Sequence, residues 1–192
     1  KLDTLRQFGS SLQGHPDMQK LAGIEFSTGS LGHGLSAAVG VGLGLKLDAS
    51  PYRVYALVGD GEVQEGSIWE AAMSASHYKL DNLCAVLDAN GLQIDGKVSD
   101  VMSIEPIVER WKAFCWHTLE VDGHSFDELI QAFSTAQTVN GKPTMIVART
   151  VKGKGISFME HNVGFHGKAA TDEELTRALD ELETALKGIE EK

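Results

Sequence analysis

The stretch Val54-Tyr55-Ala56-Leu57-Val58-Gly59-Asp60-Gly61, followed at helix length by Leu83-Cys84-Ala85-Val86-Leu87-Asp88-Ala89-Asn90-Gly91-Leu92, decides the fold. Both apolar runs have the length of strands and end in turn residues. The alanine-rich segment from Glu65 to Ala75 between them reads as a helix. Strand, helix and strand, with each strand apolar on both faces, make a βαβ unit in a buried parallel sheet. Ligands of such sheets collect beyond the carboxyl ends of the strands. Asp60 and Asn90 stand at those two ends.

A carboxylate and a side-chain amide oxygen suit a hard divalent cation. If the cation also carries a diphosphate, a second carboxylate adds repulsion, whereas Asn90 coordinates without charge. The Leu92 carbonyl, in a glycine-containing turn, is a candidate third ligand. Gly59 and Gly61 let the chain turn tightly around Asp60 and let a phosphate approach without meeting a Cβ. The residues alone leave a plainer reading open, in which a glycine turn and an asparagine turn simply follow two core strands.

The rest of the chain fits an α/β domain. The 192 residues are 42% hydrophobic and 23% charged, enough for a full core. A formal charge of −10 argues against nucleic acid as a partner. The longest uncharged stretch, Phe26 to Leu45, is too rich in glycine and hydroxyl residues for a membrane span. Cys84 and Cys115 lack metal-ligand spacing and are expected as packed thiols; with no signal-peptide layout, this implies a reducing, cytoplasmic setting.

Leu2, Leu5, Phe8 and Leu12 have helical spacing, and residues 35–42 read as a glycine- and alanine-rich helix in which small residues permit close packing or a subunit contact. The spacing of Ile104, Ile107, Val108, Trp111 and Phe114 predicts an amphipathic segment over 104–116. Strands are expected at 117–121 and 143–148, with a helix between them opened by Ser125 and Glu128. His124 is either a loop residue beside that cap or a strand-end group. Lys152 and Lys154, among glycines, either hold phosphate or lie in a solvated loop. A charged helix runs from about Thr171 to Gly188, and residues 168–192 are expected to form a surface or docking element. The fold expected is a doubly wound, mainly parallel sheet of about five strands with helices on both faces.

Twenty-eight residues separate Gly61 from Asn90, and GDG followed by Asn at this distance resembles the thiamine diphosphate signature. The surrounding segments GDGEVQEGSIWEAA, DANGLQIDG, STGSLGHGLSAAVG, VDGHS, KPTMIVARTVKGKG and FHGKA narrow it. They resemble the diphosphate-binding domain of transketolase, and most of all the short N-terminal subunit of transketolases split over two chains. The resemblance extends from His15 to about Leu175. It implies transfer of a two-carbon ketol unit between sugar phosphates, with thiamine diphosphate as cofactor and Mg²⁺ or Ca²⁺ as the metal. Asp60, Asn90 and the Leu92 carbonyl would bind the metal. Gly59, Gly61 and His166 would meet the diphosphate, and Gly29, Leu31 and Ile94 the ring side. His15 would handle substrate hydroxyls, His166 would also face substrate, and Glu65 would lie at an interface between active sites. The family's Gly-Pro-Leu-Gly-Gln-Gly appears here as Gly29-Ser30-Leu31-Gly32-His33-Gly34, which preserves the backbone pattern but changes two side chains.

In the family, the glutamate that acts on the aminopyrimidine belongs to a separate pyrimidine-binding domain. The resemblance therefore implies a homo- or hetero-oligomer with a C-terminal pyrimidine-binding partner subunit, and no activity without that partner. It also implies that residues 1–192 form one diphosphate-binding domain, incomplete at its N-terminus, because transketolases carry a further half-domain there. Two other readings remain: another thiamine diphosphate enzyme such as deoxyxylulose-phosphate synthase, or a non-catalytic assembly module of the same fold.

Overall fold

The structure, a computed structural model, describes residues 2–190, and of Glu190 the backbone alone. Residue 1 and residues 191–192 of the spans expected above lie outside the described residues. Strands β1 (Val54–Gly59), β2 (Leu83–Ala89), β5 (His117–Asp122) and β6 (Thr144–Arg149) form a fully parallel sheet in the order β1-β2-β6-β5. The expected doubly wound architecture is present with four strands in the sheet rather than about five. The short strands β3 (Leu92–Gln93) and β4 (Gly96–Lys97) instead pair antiparallel with each other. A turn containing Gly91 at φ 77° and Gly96 at φ 143° folds that segment back on itself.

Alternation along the strands sends side chains into two layers. Leu83, Ala85 and Leu87 of β2 and Met145 and Val147 of β6 face the larger core, with α1 (His33–Leu47), α2 (Gly66–His77) and α4 (Ile107–Ala113). Cys84 and Ile146 face the other side, where α5 (Phe126–Thr138) supplies Ala132 and Ala136. Each fully buried leucine or isoleucine stabilises the fold by roughly 1.5–3 kcal/mol relative to an exposed one. The remaining helices are α3 (Val98–Val101) and the C-terminal α6 (Asp172–Glu190).

Several local expectations shift. Residues 2–12 do not form the spaced helix. Only a single 3-10 turn forms at Leu2–Thr4, Arg6 takes a positive φ of 61°, and Leu2, Leu5 and Phe8 are exposed. With no core beneath it, an amphipathic pattern has little to hold it helical. The helix within 104–116 is confined to α4, because Pro106 cannot continue it upstream and Cys115, at φ 65°, ends it. Its face is as expected: Ile104, Ile107 and Trp111 are buried, with Val108 and Phe114 packed against them. Cys84 is packed and burial pushes its thiol up to about 11, whereas Cys115 is exposed rather than packed. Helix α1 packs on α2 and β1. Yet Gly34, Gly40 and Gly44 face open space, so contacts within this chain do not account for those glycines.

Candidate functional site

The parallel register brings Gly59 opposite Asp88 and Ala89 opposite Arg149, so the carboxyl ends of three strands lie side by side. Asp60, one residue past β1, is 3% exposed. Its Oδ1 accepts the Gly61 N–H at 2.9 Å and its Oδ2 the Gly91 N–H at 2.5 Å. Asn90 Oδ1 accepts the Leu92 N–H at 3.0 Å. The Asp60 carboxylate and the Asn90 amide oxygen therefore take consecutive backbone N–H groups of one turn. Each oxygen keeps lone-pair capacity beyond those bonds.

Burial pushes the Asp60 carboxyl above its usual range. The Gly91 and Gly61 amides pull it down, and the neighbouring Asp88 carboxylate adds to the rise. None of the ion pairs among the described residues involves Asp60. A buried carboxylate with amide donors but no cation favours a positive charge beside it. The donor set of one carboxylate and one neutral amide oxygen thus fits a hard divalent ion. The Gly91 carbonyl accepts the Val98 N–H, so in an antiparallel ladder Leu92 opposite Lys97 is a non-bonded pair. The Leu92 N–H and C=O then both point away from β4, to the side where that N–H meets Asn90.

The two glycines around Asp60 differ. At Gly61 an added Cβ would sit 2.9 Å from Gln93 Cβ, so close packing demands glycine there. Gly59 faces open space, and its N–H donates to Glu62 Oε2 at 3.1 Å. A cavity of about 200 Å³ beside Asp60 and Gly91 is lined further by Val98, Ser103, Glu105 and Arg149.

His15 and Gly29 come together: a Cβ on Gly29, whose φ is 132°, would lie 2.8 Å from His15 Cγ. Leu31 and Ile94 are exposed, each one residue from a group bonded to the 3-10 turn Glu62–Gln64. His166, exposed, ends a 3-10 turn at Val163–Phe165, and its N–H bonds inside that turn to Val163. Among the described residues, no hydrogen bond joins it to the Asp60 turn. Glu65 is exposed and occupies the N-cap position of α2. His124 Nε2 accepts the Val151 N–H at 2.8 Å, so it braces the loop after β6. Lys154 pairs with Glu160 at 3.6 Å within that loop.

Sequence reasoning missed Asp88, which accepts the Thr150 hydroxyl and adds negative charge beside Asp60. Its position two residues before Asn90, at a strand end, was the available signal. It also missed Glu62, whose Oε1 accepts the Gly32 N–H at 2.9 Å while Oε2 takes Gly59.

The profile of the family described as "Transketolase, thiamine diphosphate binding domain" matches residues 1–185. The chain belongs to the transketolase family. It is 45% identical over 188 residues to an apulose-4-phosphate transketolase subunit of Phocaeicola vulgatus, covering 98% of this chain and 66% of that protein. It is 46% identical over 182 residues to the 6-deoxy-6-sulfo-D-fructose transketolase subunit SqwG of Clostridium sp. (strain MSTE9), covering 95% and 66%. This transketolase domain thus spans about two thirds of the length of those relatives. The crystal structure of Campylobacter jejuni transketolase superposes with a TM-score of 0.88 at 32% identity, covering 94% of this chain and 29% of that one. The thiamine diphosphate-binding fold expected from the sequence is therefore the family's own. Among the described residues, no helix is long and apolar enough to cross a membrane.

Proposed function

We propose that this chain is the thiamine diphosphate- and divalent-metal-binding part of a split transketolase, working with a pyrimidine-binding partner subunit to transfer a two-carbon ketol unit between sugar phosphates. The observation that carries this reading is the buried Asp60 carboxylate, which shares one turn with the Asn90 amide oxygen and has no cation of its own. The two relatives described as transketolase subunits support the split arrangement.

Asp60, Asn90 and the Leu92 carbonyl would hold Mg²⁺ or Ca²⁺, and through it the diphosphate, with Gly59, Gly61 and His166 alongside. Gly29, Leu31 and Ile94 would orient the ring side. Bound thiamine diphosphate supplies the electron sink for ketol transfer, and the protein supplies holding and orientation. His15, whose ring lies against Gly29, would bind a substrate hydroxyl. His166 would face both diphosphate and substrate. The exposed Glu65 would meet a neighbouring subunit, as would α6, which exposes Leu175, Leu179, Leu182, Leu186 and Ile189.

The test is reconstitution. The chain is mixed with a candidate pyrimidine-binding subunit, thiamine diphosphate and Mg²⁺, and ketol transfer from a sugar phosphate donor is assayed. Activity should require both chains. Ketol transfer by the pure chain would overturn the partner requirement, and condensation of pyruvate instead would move the chain to another thiamine diphosphate enzyme.

A further inference from the structure

We propose that Glu62 is a positioning residue which locks the Gly29–Gly34 loop onto the Asp60 strand end and so sets the distance between the ring-side and metal-side parts of the site. The inference rests on the cofactor reading given above. Glu62 lies in the 3-10 turn Glu62–Gln64, between two motifs that belong to the site. One carboxylate oxygen accepts the Gly32 N–H at 2.9 Å and the other the Gly59 N–H at 3.1 Å. A carboxylate accepting backbone N–H groups forms charge-assisted bonds roughly twice as strong as neutral ones.

Both donors need this partner. Gly32 is the N-cap of α1, with φ 84°, and its N–H has no acceptor within the helix. Gly59 is the last residue of β1, at the edge of the sheet. The clamp is itself held rigidly, because Val63, between Glu62 and Gln64, is fully buried. On its far side Gln64 Nε2 donates to Gln93 Oε1 at 2.6 Å and to the Met102 carbonyl at 2.8 Å, which ties the same turn to the strand following Asn90. Gly32 is also pressed onto the start of α2, where an added Cβ would overlap Ser67 and lie 3.1 Å from Glu65 Cβ. A shift of Gly32 carries Leu31 with it, and Gly29 with the His15 ring against it.

A glutamine at position 62 keeps the shape of the side chain but offers one acceptor oxygen, and turns an NH₂ donor toward the second amide. Alanine offers neither.

The experiment measures backbone amide exchange and calorimetric binding of thiamine diphosphate at saturating Mg²⁺ for the wild-type chain, E62Q and E62A. In E62A the Gly32 and Gly59 amides should exchange at least about tenfold faster, while the Gly91 amide, held by Asp60, keeps its rate. The thiamine diphosphate dissociation constant should rise about tenfold in E62A and less in E62Q. Should E62A fail to fold, the near-isosteric E62Q carries the comparison. Unchanged exchange at Gly32 and Gly59, or unchanged affinity in a variant whose parent binds, overturns the positioning role alone. A wild-type chain that binds no thiamine diphosphate overturns the functional reading, and the positioning role with it.

Discussion

The two ends of the sheet's carboxyl edge handle charge in opposite ways. Past β5 and β6, Arg149 bonds Glu105 through Nη1 and Glu120 through Nε, each at 2.7 Å, so a cation meets two carboxylates within the chain. All three side chains are 42–52% exposed. Past β1 and β2, the buried Asp60 meets only amides, with Asp88 adding a second negative charge nearby. At the first end both carboxylates have a cationic partner within the chain. At the second, Asp60 has no ion-pair partner among the described residues, although Lys97 and Arg149 also line the cavity beside it, and under the proposed function this difference is where a cation is expected.

The largest expected effect removes the unbalanced charge. D60A should weaken Mg²⁺-dependent binding of thiamine diphosphate by at least about a hundredfold in calorimetry, on the order of 3 kcal/mol. Binding that survives D60A would erase the contrast between the two ends. N90A removes a neutral ligand and should cost about tenfold. A loss matching that of D60A would mean that charge is not what distinguishes the site.

A pH series sharpens the comparison further. The folded, ligand-free chain holds Asp60 above the ordinary carboxylate range of 3.8, so protonation there relieves a penalty of burial. The penalty is fully present above the raised value and fades as pH falls toward 3.8. A bound cation favours the ionised form, so the rise in melting temperature given by Mg²⁺ and thiamine diphosphate should shrink over that window. At the other end the sign is reversed. Burial opposes ionisation of Glu105, but Arg149 and the Ile107 amide outweigh it and hold its carboxyl below 4.5; that stabilisation is present above 4.5 and is lost as pH falls through the lowered value.

The smallest effect is R149M. Its exposed ion pairs contribute about 1 kcal/mol or less, equivalent to roughly 2–4 °C in melting temperature for a domain of this size. Mg²⁺ affinity should remain unchanged. A large loss of cofactor binding in R149M would show that Arg149, which lines the cavity beside Asp60, takes part in holding the ligand.

The βαβ unit was legible because strand length, turn residues and apolar pattern around Val54–Val58 and Leu83–Leu87 all agreed. The placement of Asp60 and Asn90 at neighbouring strand ends followed from parallel topology alone. The placement of β6 between β2 and β5 was not legible, since no local pattern encodes which parallel strands become neighbours. Residues 2–12 misled for a related reason: helical spacing needs a surface to pack on, and Phe8 finds none. Glu62 and Gln64 escaped notice because their partners, Gly32 and Gln93, are distant in sequence and meet them only after folding. In sequence, Glu62 reads as one acidic residue among many.

The most direct measurement is anomalous diffraction from crystals of the chain grown with thiamine diphosphate and Mn²⁺ as a substitute for Mg²⁺. A single strong peak is expected at bonding distance, about 2.1 Å, from the Asp60 carboxylate, the Asn90 amide oxygen and the Leu92 carbonyl, with the diphosphate on its open side. A peak seated elsewhere, with Asp60 still bound only by the Gly61 and Gly91 amides, would contradict the proposed metal site.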